Sequence, residues 1–340
     1  MLILKIYYSM YKIHFPDRKN SADFYVKIIE KSIVKNGDGV EYIDDLSQIK
    51  PGDNVVTLSY KEMIQSLKYK PQKSIVWIQG IMPEERELIS GKKGISAFFR
   101  YRLVHSLMEK YAINHADLCL FVSESMKNHF EKKYKYNKDN YLIMPCFNTS
   151  IEDSAFYNEK YKEPSFLYSG STLGWQCFPE IVALFKSIKE NILPNAKLYI
   201  YSNDTEVVNR ELEKNKVTAE LGFVPYQELN DKIKKVKYGF LIRKDIAINN
   251  VATPTKMSSY LANGIIPVFS DVIGDFKKQF KKLRFSVPLG PNYEGLEKLT
   301  ELESLSIDAQ SVKSEYETVF SSYYNEEKYI DIISKRLKLI

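Results

Sequence analysis

The stretch from Gly239 to Ser270, GFLIRKDIAINNVATPTKMSSYLANGIIPVFS, constrains the fold more than any other part of the chain. It reads as strand, polar loop, helix, tight turn and second strand. Gly239 to Ile242 and Ile265 to Phe269 are apolar runs of strand length, the kind a parallel sheet buries on both faces. Between them the sequence predicts a helix with marked ends. Thr253 is the expected N-cap, Pro254 stands at the first helical position where a missing N–H costs nothing, and Asn263-Gly264 supplies a left-handed stop. Such a helix turns free N–H groups into the preceding loop, and their partial positive charge favours a phosphate or carboxylate. Lys256 in the first turn and Arg243-Lys244 at the end of the strand add full charges, so a di-anion is the expected guest. A purely structural helix with solvated cations would carry the same caps.

The rest of the chain repeats this alternation. Leu2 to Tyr7, Asn54 to Leu58, Ser74 to Ile78, Leu118 to Val122 and Tyr141 to Met144 read as strands. Ala22 to Lys35, Ile95 to Asn114 and Glu124 to Tyr134 read as helices. After a polar, aperiodic segment from Asn148 to Glu163 a second series begins, with strands at Phe166 to Tyr168, Leu198 to Tyr201, Leu221 to Val224 and the two runs above. Its first helix, Pro179 to Asn191, buries Ile181, Leu184, Phe185 and Ile188. The 340 residues suit about two domains, and 44% hydrophobic content fills two cores. The expected architecture is α/β, with two Rossmann-like doubly wound domains facing a cleft. The first spans residues 1–148, the second 149–323, and a C-terminal helix over 324–340 crosses back to the first.

The Gly239–Ser270 stretch resembles the donor-binding segment of family 4 glycosyltransferases, on Ile242-Arg243, Asn249-Asn250, Pro254-Thr255-Lys256, Tyr260-Leu261-Ala262, Gly264 and Pro267-Val268. The resemblance extends to Trp77-Ile78-Gln79-Gly80 with Pro83-Glu84-Glu85, to VSESM at Val122 to Met126, to IMPCFN at Ile143 to Asn148 and to YSGS at Tyr168 to Ser171. It implies the GT-B fold and transfer of a sugar from a nucleotide-sugar donor with retention of configuration. The acceptor it implies is a saccharide or lipid-linked saccharide of surface polysaccharide biosynthesis. It also implies a donor pocket made by Gly170, Ser171, Val224, Asn249, Asn250, Pro254, Thr255, Ser259 and Tyr260. Arg243 and Lys256 are the expected catalytic cations, because breaking a sugar–phosphate bond builds negative charge on the departing diphosphate. On the acceptor side stand Gln79, Gly80, Glu84, Glu85 and Ser123. Glu84 and Glu85 also suit a helix N-terminus, and Ser123 also suits an N-cap.

Two positions depart from the wider family. Ser171, Trp175 and Gln176 stand where many members carry an Arg and a Lys, and Ser259 stands where many place a Glu that holds the ribose. Two rival readings share the architecture: a nucleotide-sugar epimerase, and a non-catalytic nucleotide-sugar binding protein.

Charge and side-chain inventory bound the chemistry further. The net charge is +6, and residues 1–150 hold 23 Lys/Arg against 17 Asp/Glu while the remainder is balanced at 26 against 26. This excess suits a peripheral contact with an anionic membrane, and equally an ordinary solvated face. No long basic run is interleaved with aromatics, so no nucleic-acid partner is expected. Cys119, Cys146 and Cys177 are odd in number and without redox or metal spacing, which suits reduced thiols in the cytoplasm. No Asp-x-Asp pair occurs and the histidines, at positions 14, 105, 115 and 129, have no ligand spacing. Neither a metal nor another cofactor is expected. The opening MLILKIYYSMYK has too short an apolar run for a signal peptide, and no run approaches the roughly 20 apolar residues of a membrane span.

Overall fold

The computed structural model describes residues 9–16, 22–90, 96, 98–224 and 228–340. The chain divides into two compact units, one of Met1–Cys146 with Asn325–Ile340 and the other of Phe147–Tyr324.

The first unit is built on six parallel strands: β1 (Met10–His14), β2 (Gly39–Ile43), β3 (Asn54–Thr57), β4 (Lys73–Ile78), β5 (Leu118–Phe121) and β6 (Tyr141–Ile143). Their spatial order is β2-β1-β3-β4-β5-β6. β3 and β5 are buried at every position, as befits strands sandwiched by helices, and this is why β5, LCLF, reads as an unbroken apolar run. The expected strand Leu2 to Tyr7 lies outside the described residues; the first described strand is Met10–His14. The expected helix from Ile95 to Asn114 is not one α-helix. A π-helical segment, Phe98–His105, precedes the α-helix Ser106–His115. Along this wider winding His105 Nδ1 comes 2.9 Å from Tyr60 Oη.

The C-terminal helix Glu326–Leu337 packs in this unit against the helix Asp23–Lys35. Ser334 Oγ donates to Asn36 Oδ1 at 2.5 Å and Asn36 Nδ2 donates to Ser334 O at 2.8 Å. Lys31 pairs with Glu326 at 2.5 Å, and Lys35 with Asp331. These pairs are exposed, so the buried Ile330, Ile333 and Leu337 contribute most of the attachment.

The second unit has the six parallel strands β7 (Ser165–Ser169), β8 (Lys197–Tyr201), β9 (Glu220–Gly222), β10 (Tyr238–Leu241), β11 (Ile266–Ser270) and β12 (Val287–Leu289). They run in the order β12-β11-β10-β7-β8-β9. The Phe166 ring on β7 stacks 4.9 Å from Tyr238 and 5.2 Å from Phe240 on β10. Each such aromatic pair contributes about 0.5–1.5 kcal/mol beyond its buried area.

The helix of the Gly239–Ser270 stretch is shorter than its sequence suggests. It spans Lys256–Ala262 with Thr255, not Thr253, at the cap position, and the Thr255 side chain makes no capping hydrogen bond. Pro254 therefore precedes the cap rather than opening the helix. Asn249 and Asn250 belong to a separate short turn, Ala247–Val251, after which Ala252 is extended. The C-terminal stop is where the sequence puts it, with Asn263 at the cap and Gly264 at φ +62°. The segment 148–161 ties this helix down: Glu152 N donates to Ala262 O at 2.9 Å, Tyr161 Oη to Gly264 O at 2.7 Å and Lys160 Nζ to Asn263 O. A buried lysine Nζ at a helix C-terminus satisfies carbonyls that have no helical partner.

Candidate functional site

The order of the second sheet reverses between β7 and β10, and open α/β sheets leave a ligand crevice outside the carboxyl ends of two such strands. β7 delivers Tyr168 and Gly170 there, and β10 delivers Arg243. Arg243 is 6% exposed, and its Nη2 donates to Gln176 Oε1 at 2.7 Å. Its Nη1 donates to two main-chain carbonyls, those of Ile242 at 2.9 Å and Gln176 at 3.3 Å. Lys256 Nζ donates to the same Gln176 Oε1 at 3.0 Å and lies 4.4 Å from the centre of the Tyr168 ring. Two cations thus converge on one neutral oxygen, and neither is paired with a carboxylate among the described residues. Burial, and then the Arg243 charge, hold the Lys256 ammonium well below its usual range. An anion placed here would relieve both effects.

Gly170 makes this arrangement possible. Its φ is +126°, and a Cβ would come within 3.0 Å of Lys256 Cε. Ser171 contributes its carbonyl to Tyr168 Oη, while the next residue, Thr172, anchors the loop by donating from N and Oγ1 to Asp204 Oδ2 at 2.6 and 2.9 Å. Gln176, which the sequence marks only as a departure from family pattern, ends the short turn Gly174–Gln176 before the helix Phe178–Asn191. No spacing rule links it to residues 67 and 80 positions away; only the sheet brings them together.

The remaining donor-side residues are arranged around this pair in different ways. Asn249 Nδ2 donates to Lys244 O at 3.0 Å, and Asn250 Nδ2 to Asp245 Oδ1 at 2.8 Å and Val272 O at 3.0 Å, so both brace the loop after β10. Pro254 and Thr255 offer carbonyls to Met257 N and Ser259 N. Ser259 is half-buried, with its hydroxyl donating to Asn148 Oδ1 at 3.3 Å. Tyr260 is fully buried and donates to Phe240 O at 3.1 Å, which makes it a core residue beneath β10 rather than part of an open pocket. Val224 lies half-buried just beyond β9, beside the exposed Phe223. Next to it, Ile200, Ser202, Val208, Leu221, Gly222 and Phe223 line a cavity of about 270 Å³.

In the first unit, the chain leaving β3 and β4 encloses a pocket of about 340 Å³ lined by Ser59, Tyr60, Gln79, Gly80, Met82 and Glu85. Glu85 lies so close to Gly80 that a Cβ there would come within 2.0 Å of Oε1. Burial, and then the neighbouring Glu84, raise the Glu85 carboxyl above its usual range. Glu84 itself points elsewhere, accepting from Lys133 Nζ at 2.6 Å and contacting His129 Nε2 at 3.2 Å. Burial opposes ionisation of Glu84, but those two partners outweigh it and hold its carboxyl below the ordinary range. Ser123 is the N-cap of Glu124–Tyr134, accepting from Met126 N at 2.9 Å, and is fully buried; its place is structural. Behind Glu84, Glu109 is completely buried, accepts from Tyr134 Oη at 2.7 Å and is pushed up to about 8 by burial. Among the described residues no cluster of three or more His, Cys, Asp or Glu side chains has metal-binding geometry, and no helix is long and apolar enough to cross a membrane.

Neither a protein-family model nor a curated protein matches the sequence. Solved structures do match the fold over most of the chain. The lipopolysaccharide outer core galactosyltransferase WaaB superposes with a TM-score of 0.61 at 14% identity, covering 96% of this chain and 99% of its own. WaaG, a glycosyltransferase involved in lipopolysaccharide biosynthesis, matches with a TM-score of 0.59 at 12% identity over 96% and 99% of the two chains. A trehalose-6-phosphate protein from E. coli bound with UDP-2-fluoro glucose matches at 0.62 and 9% identity, covering 93% of this chain and 78% of its own. With its two six-stranded parallel sheets and flanking helices, the chain has the two Rossmann-like domains of the GT-B fold seen in the glycosyltransferases WaaB and WaaG.

Proposed function

We propose that the chain is a retaining, family 4-type glycosyltransferase that moves a sugar from a nucleotide-sugar donor held by the second unit to a saccharide or lipid-linked saccharide acceptor held by the first. One observation carries this reading: Arg243 and Lys256 meet, with no carboxylate beside them among the described residues, at the switch point of the second sheet. Leaving-group departure builds charge on a diphosphate, and fixed cations in a partly dry site stabilise it without reorganising. That supply of charge supports metal-independent transfer. The 270 Å³ cavity beside Val224 suits the nucleotide base, and the Glu85 pocket suits acceptor hydroxyls. The fold-mate bound with UDP-2-fluoro glucose supports a nucleotide-sugar donor.

A peripheral contact with anionic membrane at the cytoplasmic face is part of the same proposal. Exposed Phe99, Leu103, Val104, Leu107 and Tyr111 run along the π-helical segment and the helix after it, interleaved with exposed Arg100, Arg102 and Lys110. An apolar face set among cations suits the interface of an anionic bilayer.

The deciding experiment is a thermal-shift screen with nucleotide sugars, followed by transfer assays with and without EDTA. A ligand at a hundred times its dissociation constant stabilises by about 2.7 kcal/mol, a readily measured rise in melting temperature. Stabilisation by a nucleotide sugar with transfer that survives EDTA is expected. No stabilisation across the panel would end the glycosyltransferase reading, and metal-reversible loss of transfer would end its metal independence. Flotation with anionic vesicles at low salt should recover the protein, and neutral vesicles or high salt should not; equal recovery from both would remove the membrane contact.

A further inference from the structure

We infer that Gln176 is a positioning residue whose side-chain oxygen occupies the anion position between Arg243 and Lys256 and must be displaced when a diphosphate binds. This inference rests on the proposed anion site and adds to it a resident competitor that tunes affinity.

The geometry leaves the amide no other orientation. Arg243 Nη2, 2.7 Å away, is a donor without acceptor capacity, so the atom facing it is the amide oxygen and not the NH₂ group, and Lys256 Nζ donates to the same oxygen at 3.0 Å. The amide dipole thereby faces two positive charges and offsets part of their mutual repulsion, which with burial holds Lys256 below its usual range. An oxygen of a bound phosphate that bridged the two cations would need the space Oε1 fills. Gln176 has the reach to leave it, since it ends a three-residue turn and is itself only half-buried. Its main-chain carbonyl, 3.3 Å from Arg243 Nη1, keeps the guanidinium oriented while the side chain moves. A neutral amide suits a displaceable occupant, because it satisfies both donors when the site is empty yet binds them less strongly than a doubly charged ligand does.

Two substitutions at this position have opposite expected effects. Gln176→Met keeps the length and removes the competing oxygen, so inorganic pyrophosphate should bind about tenfold more tightly, while the ligand-free protein melts at a lower temperature because two cations lose their acceptor. Gln176→Glu places a permanent carboxylate between the cations, so the ligand-free protein should melt higher and bind pyrophosphate at least about tenfold more weakly. Gln176→Leu replaces Gln176→Met as the test variant if the latter does not fold. Calorimetric titration with pyrophosphate, alongside ligand-free melting, reads both quantities. Weaker binding by both variants, or unchanged binding by both, would overturn the displacement role while leaving the anion site standing. Failure of the wild-type protein to bind pyrophosphate or any nucleoside diphosphate would overturn the site itself, and this inference with it.

Discussion

The two units use the same kind of sheet to present opposite chemistry. In the second, the carboxyl ends of β7 and β10 gather Arg243 and Lys256 around one neutral amide oxygen. In the first, the chain leaving β3 and β4 borders a pocket lined by Tyr60 and by one carboxyl, Glu85, which is raised above its usual range by burial and then by Glu84. A parallel sheet fixes where loops emerge, not what they carry. The cationic side suits an anion; the other offers a carboxyl, a phenol and an amide to hydrogen-bond hydroxyls. This division of labour suits transfer from a charged donor to a neutral acceptor group.

The largest expected effect tests that division directly. On the proposed reading, Arg243→Ala and Lys256→Ala should each lower the transfer rate about 10²–10³-fold and weaken nucleoside-diphosphate binding, since each would remove a charge that stabilises the departing diphosphate. Glu85→Gln should leave nucleoside-diphosphate binding unchanged and act only on the acceptor, as a raised acceptor KM. If Glu85→Gln altered diphosphate binding as much as Lys256→Ala did, the two sites would not be chemically separate.

An intermediate effect concerns stability, and it should reside in the first unit alone. Glu109 is held protonated by burial, with its folded pKa raised from 4.5 to about 8. A raised folded pKa means the folded form keeps a proton that the unfolded chain releases. The contribution of Glu109 is therefore complete below about pH 4.5 and is lost as pH rises towards 8, at about 1.4 kcal/mol per pH unit for one proton. Glu109→Gln keeps an acceptor for Tyr134 and should flatten that part of the profile in chemical denaturation from pH 5 to 8. A profile with the same slope in the variant would assign the dependence to other groups.

The smallest effect is at Ser259. Its hydroxyl donates to Asn148 Oδ1 at 3.3 Å, a long bond whose loss costs little. Ser259→Glu should strengthen nucleoside-diphosphate binding by about threefold, a gain of the size of one modest charge-assisted hydrogen bond to the ribose. No change with either Ser259→Glu or Ser259→Ala would take residue 259 out of the donor site.

Much of this molecule is legible in its sequence, because buried parallel strands must be apolar on both faces. The runs at Ile75–Ile78, Leu118–Phe121, Phe166–Tyr168, Gly239–Leu241 and Ile266–Phe269 all announce themselves this way. Three strands do not: β2 is GVEYI at a sheet edge with only its two end residues buried, β12 is three edge residues with a central proline, and the interior β1, MYKIH, has a lysine and a histidine within it. An edge strand is wetted on one side, so its composition carries no continuous apolar signal. The π-helical segment Phe98–His105 is equally silent, since its side-chain pattern does not differ from that of an α-helix with one irregular turn.

Sequence also singled out Arg243, Lys256 and Gly170, because charge at a strand's end and a glycine after a strand have local causes. It did not identify the role of Gln176, nor separate Glu85 from Glu84, nor send Tyr260 into the core. Those outcomes depend on which side chains meet across the sheet and on which turn a helix begins. The lysine's helix starts two residues later than its caps suggest, and its Tyr260 turns under β10 to Phe240 O. Local propensity and hydrophobic period are properties of neighbours in the chain, and so the sequence alone determined the continuous apolar strands, the switch-point loops and the charges they bear. Convergence of two cations on one amide, 67 and 80 residues distant along the chain, is a property of packing, and only the tertiary structure decided it.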